Sequence, residues 1–340
     1  MIFRQRYYDI LSFISVLTLR KFWNFLLLMG SYGLSVLFRR DLHRGWPMAA
    51  SIEPTTRCNL RCPECPAGLE ELSRPGGEVD LEDYYEFFDG LEENLLYLTL
   101  YFQGEPFLQK NIFELISIAR KKRIYVATST NGHFLNETNC QRIIDSGLNR
   151  LIISFDGTDD STYQTYRKGG SFDKVKEGVT RMVAARNALK AKHPRIILQF
   201  IVFRHNEQQV EEVKVLGRLL GADEVQIKTA QLCNFQDGHP MMTRLDKYSR
   251  YRRIGTNDGR PVFALKKKIR NRCFRMWSSC VITWDGRLLP CCFDKDATNE
   301  MGNLLRESLN EIWKGDRMKL FRQQILNDRK QKEMCCNCSE

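Results

Sequence analysis

The stretch Cys58-Asn59-Leu60-Arg61-Cys62-Pro63-Glu64-Cys65 places three cysteines at the spacing C-x3-C-x2-C. Three thiolates on one short loop can ligate three irons of a cubane cluster and leave the fourth iron without a protein ligand. A zinc site and a disulfide pair are the alternatives for such a motif. Zinc prefers a closed set of four ligands, and no fourth ligand lies nearby in the sequence. The spacing therefore favours an iron–sulfur cluster with one open iron.

This cysteine spacing resembles the signature of the radical SAM enzymes. In that family the open iron chelates the amino and carboxylate groups of S-adenosylmethionine, and the reduced cluster donates one electron to the sulfonium. The resemblance implies that homolysis then yields a 5′-deoxyadenosyl radical, which abstracts a hydrogen atom from the substrate. It also implies two cofactors: S-adenosylmethionine and a [4Fe-4S] cluster held by Cys58, Cys62 and Cys65.

Strand and helix patterns alternate from Ala49 to about Thr229. Six short runs rich in apolar and β-branched residues are strand candidates, at 49–53, 96–102, 124–128, 151–155, 196–203 and 224–229. Apolar residues recur on one helical face in the intervening runs 111–122, 172–189 and 207–220. Six such repeats predict a parallel sheet with right-handed crossovers. The resemblance specifies the α/β fold class further, as a partial (β/α)6 barrel, since a full eight-stranded barrel needs more chain.

A Gly-Glu-Pro segment lies where the barrel's ligand site is expected. In parallel α/β sheets, binding residues collect at the carboxyl ends of the strands. Gln103-Gly104-Glu105-Pro106 follows the second predicted strand and resembles the family's GGEP segment, with Gln103 in place of the first glycine. The resemblance implies that this backbone and the Glu105 carboxylate meet the methionine amino group. Outside such a context, Gly-Glu-Pro is only a turn.

Hydroxyl, amide and charged side chains lie at the ends of the third and fourth predicted strands and on the fifth. The resemblance implies ribose and carboxylate contacts from Ser129, Asn131, Ser154 and Asp156, and contacts with adenine or substrate from Gln199. Arg167 lies in a stretch similar to one whose arginine pairs with the methionine carboxylate, which a guanidinium can bind in bidentate fashion. The alternatives are turn chemistry for Ser154 and Asp156, and a surface ion pair for Arg167.

Six other residues near these strands are weaker candidates. Phe203 and Asn206 follow the fifth strand, where the family reads adenine and substrate. His133 and His205 could donate protons, although a lone histidine beside a strand end is more often structural. Cys140 and Cys233 have no partners in the sequence, and we expect both to be buried small apolar residues.

Seven more cysteines lie near the C-terminus: Cys273, Cys280, Cys291, Cys292, Cys335, Cys336 and Cys338. The segments Cys273-x12-Gly286-x4-Cys291 and Cys335-x2-Cys338 resemble the SPASM domain, which carries auxiliary iron–sulfur clusters. The C-x2-C-x5-C-x3-C run of the full SPASM pattern is absent, so we expect one auxiliary [4Fe-4S] cluster. Its expected ligands are Cys273, Cys291, Cys335 and Cys338, with Cys280, Cys292 and Cys336 as spares and Cys336 as a substitute for Cys335. A zinc site with the same four ligands is the alternative.

The composition describes a folded, basic and cysteine-rich chain. Apolar residues make up 43% and charged residues 27% of 340 residues, which favours a globular protein. The 12 cysteines form two groups, typical of metal sites in a reducing compartment, so we expect a cytoplasmic location. An anionic membrane surface, an acidic substrate or a solvated face can account for the net charge of +11. Nucleic acid is not an expected partner, because no recognition element interleaves aromatic and basic residues.

The first 45 residues contain two apolar runs, Asp9 to Leu19 and Phe22 to Phe38. The second run would be about 25 Å long as a helix, which is short for a membrane span. A secretory signal is not expected, since no small-residue cleavage site follows. We expect two short helices associated with the inner face of the membrane. The alternative is a helical pair packed on the protein's own barrel or on a partner chain.

Four segments are therefore expected along the chain. They are an apolar helical extension (1–45), a radical SAM partial barrel (46–231), an irregular linker (232–271) and a SPASM-type domain (272–340).

These motifs predict a radical SAM oxidoreductase that is reduced by a donor such as flavodoxin or ferredoxin. The auxiliary cluster would accept an electron from the substrate after hydrogen abstraction. The resemblance favours a peptide or protein substrate, and the apolar N-terminus makes a lipid or membrane-anchored precursor the alternative. A non-catalytic iron–sulfur electron carrier or scaffold is the hypothesis from another class. A carrier needs no site for methionine and ribose, so the strand-end motifs argue against it.

Overall fold

The computed structural model describes residues 2–338; residues 1, 339 and 340, at the ends of the predicted terminal segments, lie outside the described residues. The described strands are β1 Ala49–Ile52, β2 Tyr97–Leu100, β3 Tyr125–Thr130, β4 Arg150–Ser154, β5 Arg195–Val202, β6 Glu224–Thr229, β7 Tyr251–Asn257, β8 Arg260–Leu265, β9 Ser279–Ile282, β10 Arg287–Leu289 and β11 Gly302–Asn303. Nine of them form one sheet in the order β11-β10-β9-β1-β2-β3-β4-β5-β6. Strands β7 and β8 pair with each other as a separate hairpin.

Twelve α-helices cover this sheet or extend from it within the described residues. They are α1 Ile2–Ser15, α2 Leu19–Phe38, α3 Pro66–Leu69, α4 Leu81–Phe87, α5 Ile112–Lys121, α6 Glu137–Asp145, α7 Asp160–Tyr166, α8 Phe172–Ala188, α9 Val210–Leu219, α10 Arg275–Ser278, α11 Leu309–Trp313 and α12 Asp316–Asp328. Single 3-10 turns lie at Pro106–Leu108, Glu207–Gln209, Asp246–Tyr248, Arg329–Gln331 and Glu333–Cys335.

Strands β1 to β6 are parallel neighbours in chain order, which confirms the predicted partial (β/α)6 barrel. Parallel strands that are covered on both faces read as near-continuous apolar runs, because each face packs against other elements. In β5, Ile196, Ile197, Leu198 and Phe200 are at most 1% exposed. The predicted strand limits agree with the structure to within two residues at each end.

The predicted helical faces also pack on the sheet. In α5, Ile112, Leu115, Ile116 and Ala119 are all buried, as the spacing of its apolar residues indicates. The helix expected to begin at Glu207 begins instead at Val210, because residues 207–209 form a tighter 3-10 turn first.

The C-terminal segment is continuous with the barrel sheet. Strand β9 pairs in parallel with β1, from Ala49 beside Ser279 to Ile282 beside Ile52. Strand β10 then returns antiparallel to β9, and β11 follows it at the edge. The buried Arg74–Glu53 ion pair lies at this boundary and binds the C-terminal segment on both sides: Arg74 donates to the Lys295 carbonyl at 2.8 Å, and the Glu53 carboxylate accepts from the Trp284 N–H at 3.3 Å. The auxiliary segment is therefore fixed rigidly beside the first barrel strand.

The expectation of an irregular linker at 232–271 is wrong in one part. Strands β7 and β8 form an antiparallel hairpin there. Its turn centres on Asp258 and Gly259, whose φ angles are 48° and 76°. Two consecutive left-handed residues are the geometry of a type I′ hairpin turn, for which Asp-Gly is a preferred sequence. The glycines and prolines of this region suggested a loop, whereas the Asp-Gly pair indicated the hairpin.

The N-terminal helices α1 and α2 pack across the amino ends of the barrel strands. The Asp9 carboxylate contacts Arg150 at 2.7 Å and Arg195 at 2.9 Å, at the starts of β4 and β5. The Lys21 ammonium donates to the Arg123 carbonyl at 2.7 Å, just before β3. This arrangement matches the predicted alternative of a helical pair packed on the barrel.

The two N-terminal helices meet at a break with an angle of 90°. No single helix of the described chain has both the length and the apolarity to cross a membrane, whereas this bent pair meets those criteria when taken together.

Candidate active site

The three-cysteine loop follows β1 at the carboxyl end of the barrel. Cys62 is buried, whereas Cys58 and Cys65 are half-buried. Glu64 adopts a φ of 74°, which turns the chain so that the Cys65 N–H donates to the Cys62 carbonyl at 3.2 Å. Burial, together with the negative charges of Glu105, Cys62 and Cys65, raises the pKa of the Cys58 thiol to about 11. A cationic ligand would offset that cost, since metal-bound thiols are deprotonated.

The donor set of this loop fits an iron–sulfur cluster. Within residues 2–338 no three His, Cys, Asp or Glu side chains are already arranged as a metal site. The three cysteines nevertheless lie in one apolar cluster with Leu60 and Phe203. Three thiols without a carboxylate or histidine among them are ligands typical of iron–sulfur sites. The loop can therefore supply the three ligands that the sequence predicts.

The Gly-Glu-Pro segment packs directly against the backbone that leads into the cysteine loop. Gly104 has a φ of +73°, and a Cβ at this position would lie 2.3 Å from the Thr55 carbonyl oxygen. The Glu105 N–H donates to the Arg57 carbonyl at 2.7 Å. Only glycine combines this conformation with such a close backbone approach. The end of β2 is thus held against the residues that precede Cys58.

Glu105 joins the ends of β2 and β3. Its two carboxylate oxygens accept hydrogen bonds at 2.7 Å from the Thr130 hydroxyl and the Asn131 N–H, respectively. Complete burial raises the pKa of Glu105 to about 7, although these hydrogen bonds act in the opposite direction. The carboxyl group therefore changes charge near neutral pH.

Asn131 connects this carboxyl group to the cysteine loop. Its side-chain amide donates to the Asn59 side-chain oxygen at 2.7 Å, while its backbone N–H binds Glu105. Ser129, two residues earlier in β3, is half-buried. The structure therefore brings Glu105 and Asn131 together at the cysteine loop, as the strand-end argument predicts.

Asp156 and Arg167 form an ion pair beside the cluster loop. The Asp156 carboxylate is contacted by two Arg167 nitrogens at 2.6 and 2.7 Å, and it also accepts from the Ile201 N–H. A third Arg167 nitrogen lies 3.7 Å from the Cys62 sulfur. Asp156 is fully buried and the Arg167 side chain is only 14% exposed, so this is not a surface ion pair. Arg167 therefore lies beside the predicted cluster loop.

Ser154, at the end of β4, is directly opposite Gln199, which lies within β5. The weaker candidate Asn206 has a structural role in this region. Asn206 is fully buried and accepts from the Phe203 N–H at 2.8 Å while donating to the Asp156 and Ile201 carbonyls. Those bonds use its amide group to hold the backbone that follows β5.

The two candidate histidines and the two isolated cysteines differ in their contacts and their burial. His133 accepts from the Ser171 N–H at 2.8 Å and contacts Asn131, which is a structural role. The His205 ring stacks on Phe203. Cys140 is buried as expected. The expectation that Cys233 is buried is wrong: it is exposed, because it lies in a surface turn after β6 rather than on a packed face.

Two features of the site were not identified from the sequence. Tyr101, directly after β2, is close enough to Cys65 and Cys58 for their charges to raise the pKa of its phenol, after the larger effect of burial. Glu64, inside the cysteine motif, lies 3.2 Å from the His239 ring and accepts from the Cys233 N–H at 2.6 Å. The second contact joins segments 169 residues apart, which no local pattern indicates.

Three C-terminal cysteines converge on Arg329. Cys273, Cys335 and Cys338 are all buried, and the Arg329 guanidinium lies 3.0 Å from the Cys338 sulfur. Burial raises the pKa of Cys335, while Arg329 lowers it. Cys336 is exposed and its thiol points to the Lys330 carbonyl at 3.2 Å. The geometry therefore favours Cys335 over Cys336 as a member of the predicted ligand set.

The fourth predicted ligand, Cys291, lies beside Cys292. A hydrogen bond from the Cys291 thiol to Cys292 and burial both raise the pKa of Cys291, and the charge of Cys273 adds a smaller contribution. The two thiols line a cavity of about 270 Å³ together with Cys280 and residues of β1 and β2. Arg275 lies 3.5 Å from the Cys292 sulfur. Cys291 thus lies within reach of the charge of Cys273.

Two family models match the sequence in the regions described above. The Radical SAM superfamily matches residues 52–216, and the SPASM iron-sulfur cluster-binding domain matches residues 273–339. A curated relative, the PqqA peptide cyclase of Gluconobacter oxydans (strain 621H), is 32% identical over 186 residues. The match covers 54% of this chain and 50% of the relative, so the chain spans about half the length of the curated relative it matches.

Solved structures with the same fold have little sequence identity to this chain. Streptococcus suis SuiB bound to its precursor peptide SuiA is 13% identical, with a TM-score of 0.63, covering 91% of this chain and 72% of SuiB. BtrN in complex with AdoMet and 2-DOIA is 18% identical, with a TM-score of 0.53, covering 86% of this chain and 92% of BtrN. At these identities the likeness concerns the fold alone.

Proposed function

We propose that this chain, which matches the Radical SAM superfamily model over residues 52–216 and the SPASM model over residues 273–339, cleaves S-adenosylmethionine reductively to modify a peptide or protein substrate. One observation carries this proposal. The cysteine loop, Glu105, Asn131 and the Asp156–Arg167 pair meet at the carboxyl ends of the first four barrel strands. An iron–sulfur electron carrier would need the cysteines but not the other groups.

Each of these residues has a distinct proposed task. When bound, the cluster and S-adenosylmethionine supply an electron and a radical that abstracts a hydrogen atom. Cys58, Cys62 and Cys65 would hold the cluster, and Glu105 would accept a hydrogen bond from the methionine amino group. Arg167 would bind the methionine carboxylate, since its guanidinium already lies 3.7 Å from the Cys62 sulfur. Asn131, Ser129, Ser154 and Gln199 line the remaining strand ends, where the ribose would lie.

The auxiliary site would complete the electron balance. The external donor supplies one electron for cleavage of S-adenosylmethionine, and hydrogen abstraction leaves a substrate radical. Loss of one proton and one further electron would make the overall change a loss of two hydrogens, and we propose the auxiliary cluster as the acceptor of that electron. Arg329, beside Cys338, would offset part of the negative charge of this cluster.

The peptide class is supported by the name of the curated relative and by one structural feature. Hairpin β7–β8 packs through Tyr251 and Phe263 into the apolar cluster that contains Cys62. Most of β7 is exposed, and the two-stranded sheet has free edges. An extended peptide can bind such an edge through main-chain hydrogen bonds. The exposed apolar residues of α1 and α2 lie at the opposite end of the barrel, so they give no support to a lipid substrate at the mouth.

Production of 5′-deoxyadenosine tests the enzyme assignment. The reconstituted, reduced protein should convert S-adenosylmethionine to 5′-deoxyadenosine, and a Cys62→Ala variant should not. A Cys140→Ala variant is the matched control, because Cys140 is a buried thiol on α6 and belongs to neither cysteine group. Equal amounts of 5′-deoxyadenosine from wild type and Cys62→Ala would contradict the enzyme assignment and favour the electron-carrier hypothesis.

Two further measurements test the finer parts of the proposal. Iron analysis of the reconstituted chain should give about eight irons for one open and one auxiliary [4Fe-4S] cluster. About four irons would exclude the auxiliary cluster, and zinc at that site would support the alternative. Candidate peptides encoded beside the gene should lose the mass of two hydrogens, and modification of a lipid instead would overturn the peptide class.

A further inference from the structure

The N-terminal helices turn their polar residues towards the protein and their apolar residues outwards. Buried positions on α1 and α2 recur every three or four residues, which defines one helical face. They are Gln5, Asp9 and Ser12 on α1, Val16 directly after it, and Lys21, Asn24, Leu28, Ser31 and Ser35 on α2. Seven of these nine are polar or charged. A helix of a globular protein has the opposite arrangement.

Specific hydrogen bonds fix this orientation. The Asn24 amide donates to the Trp46 carbonyl at 3.0 Å and accepts from the Trp46 N–H at 2.8 Å. The Ser31 hydroxyl donates to the Arg44 carbonyl at 3.1 Å. Rotation of α2 to bury its apolar side would break these bonds and leave buried polar groups unpaired. The outward apolar face is therefore a specified feature of the fold.

That face accounts for most of the exposed apolar surface of the protein. Of the 25 large hydrophobic side chains that are exposed in the described part of the chain, 15 lie in residues 7–38. We call them the apolar platform: Tyr7, Ile10, Leu11, Phe13, Ile14, Leu17, Leu19, Phe22, Trp23, Leu26, Leu27, Met29, Leu34, Leu37 and Phe38. Such a concentration of exposed apolar side chains in one part of a chain is typical of a site of interaction with a protein or a membrane.

Basic residues border the apolar platform and favour a membrane over a protein as its partner. Arg6, Arg39, Arg40 and Arg44 are exposed at its borders. A groove of about 1020 Å³ is lined by the apolar side chains of Trp23, Leu26, Leu27 and Leu34 together with the basic side chains of Arg44, Lys314 and Lys319. Acyl chains match the apolar lining residues, and phosphates match the basic ones. Apolar side chains bordered by Lys and Arg are the features of helices that lie in an anionic bilayer interface.

We propose that the apolar platform docks this protein on the surface of an anionic phospholipid bilayer. Helices α1 and α2 lie in the interface with their apolar sides among the acyl chains, and the groove binds the headgroup of an anionic lipid. The platform covers the amino ends of β3 to β5, whereas the cysteine loop lies beyond their carboxyl ends. Strand β5 has eight residues and spans about 26 Å. The docked barrel mouth therefore opens away from the bilayer, and its substrate arrives from the aqueous side.

Vesicle flotation with the complete reconstituted protein tests the docking. The protein should float with vesicles of phosphatidylglycerol and phosphatidylethanolamine, and bind less to phosphatidylcholine alone. Replacement of Leu26 and Leu34 by serine should lower the partition coefficient at least about tenfold, since burial of one large apolar side chain changes an equilibrium by about that factor. Arg44→Glu should weaken binding about fivefold and reduce its salt dependence. Leu219→Ser is the matched control, because Leu219 is 79% exposed but lies on α9.

Tryptophan quenching tests the orientation. Trp23 is 62% exposed on the platform, whereas Trp284 lies beyond β9, at the end of the sheet nearer the mouth. Brominated lipids should quench emission in wild type and in Trp284→Phe, and this quenching should disappear in Trp23→Phe. Loss of quenching in Trp284→Phe instead would overturn the orientation.

Two outcomes would overturn the docking itself. One is failure of the wild-type protein to float with anionic vesicles. The other is a stable dimer, dissociated by the Leu26 and Leu34 substitutions, that does not bind vesicles, because the platform would then be covered by a second copy. Production of 5′-deoxyadenosine should be unchanged by Leu26→Ser, so failure of the docking proposal is distinguishable from failure of the proposed enzyme function.

Discussion

Replacement of Gly104 by alanine should damage the active site through a backbone collision. The added Cβ would lie 2.3 Å from the Thr55 carbonyl oxygen and 2.8 Å from that of Arg57. Both atoms belong to the backbone, so no side-chain rotation can relieve the contact. The segment from Thr55 to Arg57 leads into Cys58, and its displacement would move the first predicted cluster ligand relative to Glu105.

The magnitude has two parts. An alanine at a φ of +73° costs about 1–2 kcal/mol, because its Cβ approaches the following carbonyl. Overpacking of a tight contact adds about 1–3 kcal/mol. We therefore expect Gly104→Ala to lower the free energy of unfolding by about 2–5 kcal/mol. We also expect at least a tenfold loss of affinity for S-adenosylmethionine.

Gly259→Ala separates the two parts. Gly259 has a similar φ of +76°, but nothing lies within 4 Å of its Cβ position. This variant should lose only the conformational part, about 1–2 kcal/mol, and keep its affinity. Anaerobic urea unfolding and equilibrium dialysis with S-adenosylmethionine measure both quantities. Equal stability losses and unchanged affinity in both variants would refute the argument.

Three other predictions concern the ligand-binding groups. The pKa of Glu105 is raised to about 7, so its carboxylate form is lost as pH falls through that value. The affinity for S-adenosylmethionine should therefore decrease as the pH is lowered from 8 to 6. Equilibrium dialysis should show that Glu105→Gln abolishes this pH dependence. Arg167→Lys should weaken the affinity for S-adenosylmethionine about tenfold, because one ammonium cannot replace a two-nitrogen contact. The control is Arg186→Lys, in the buried ion pair with Asp223, which should reduce only the stability of the fold. Cys335→Ala should lower the iron content of the chain from about eight to about four, whereas Cys336→Ala should leave it unchanged; the reverse result would exchange their roles.

Local sequence patterns determined much of the barrel. The apolar runs in β1 to β6 and the helical spacing of apolar residues in α5 are patterns of residues close together in the sequence. Such patterns indicate which residues form each element and which side of it is buried. The cysteine spacing and the Gly-Glu-Pro segment were also readable, because each places its chemistry on one loop. Glu105 and Asn131 could be assigned to the same place since parallel strands end at one edge of a sheet.

Contacts between distant segments were beyond the reach of these patterns. The Glu64 contact with Cys233, the parallel pairing of β9 with β1 and the choice of Cys335 over Cys336 each depend on how separate elements dock. Cys335 and Cys336 are adjacent and chemically identical, so only the direction of their side chains in the folded chain distinguishes them.

The N-terminal helices illustrate the same division. Their sequence predicted two apolar helical segments, because apolar composition is a local property, but it placed the break between Leu19 and Phe22, whereas α1 ends at Ser15 and α2 begins at Leu19. Only the tertiary structure decided which side of each helix faces the barrel. Hydrogen bonds and ion pairs of Asp9, Lys21 and Asn24 with distant residues hold the polar side inwards. Sequence periodicity shows that each helix has a polar and an apolar side. Which side faces the barrel is determined by contacts that form only when the chain folds.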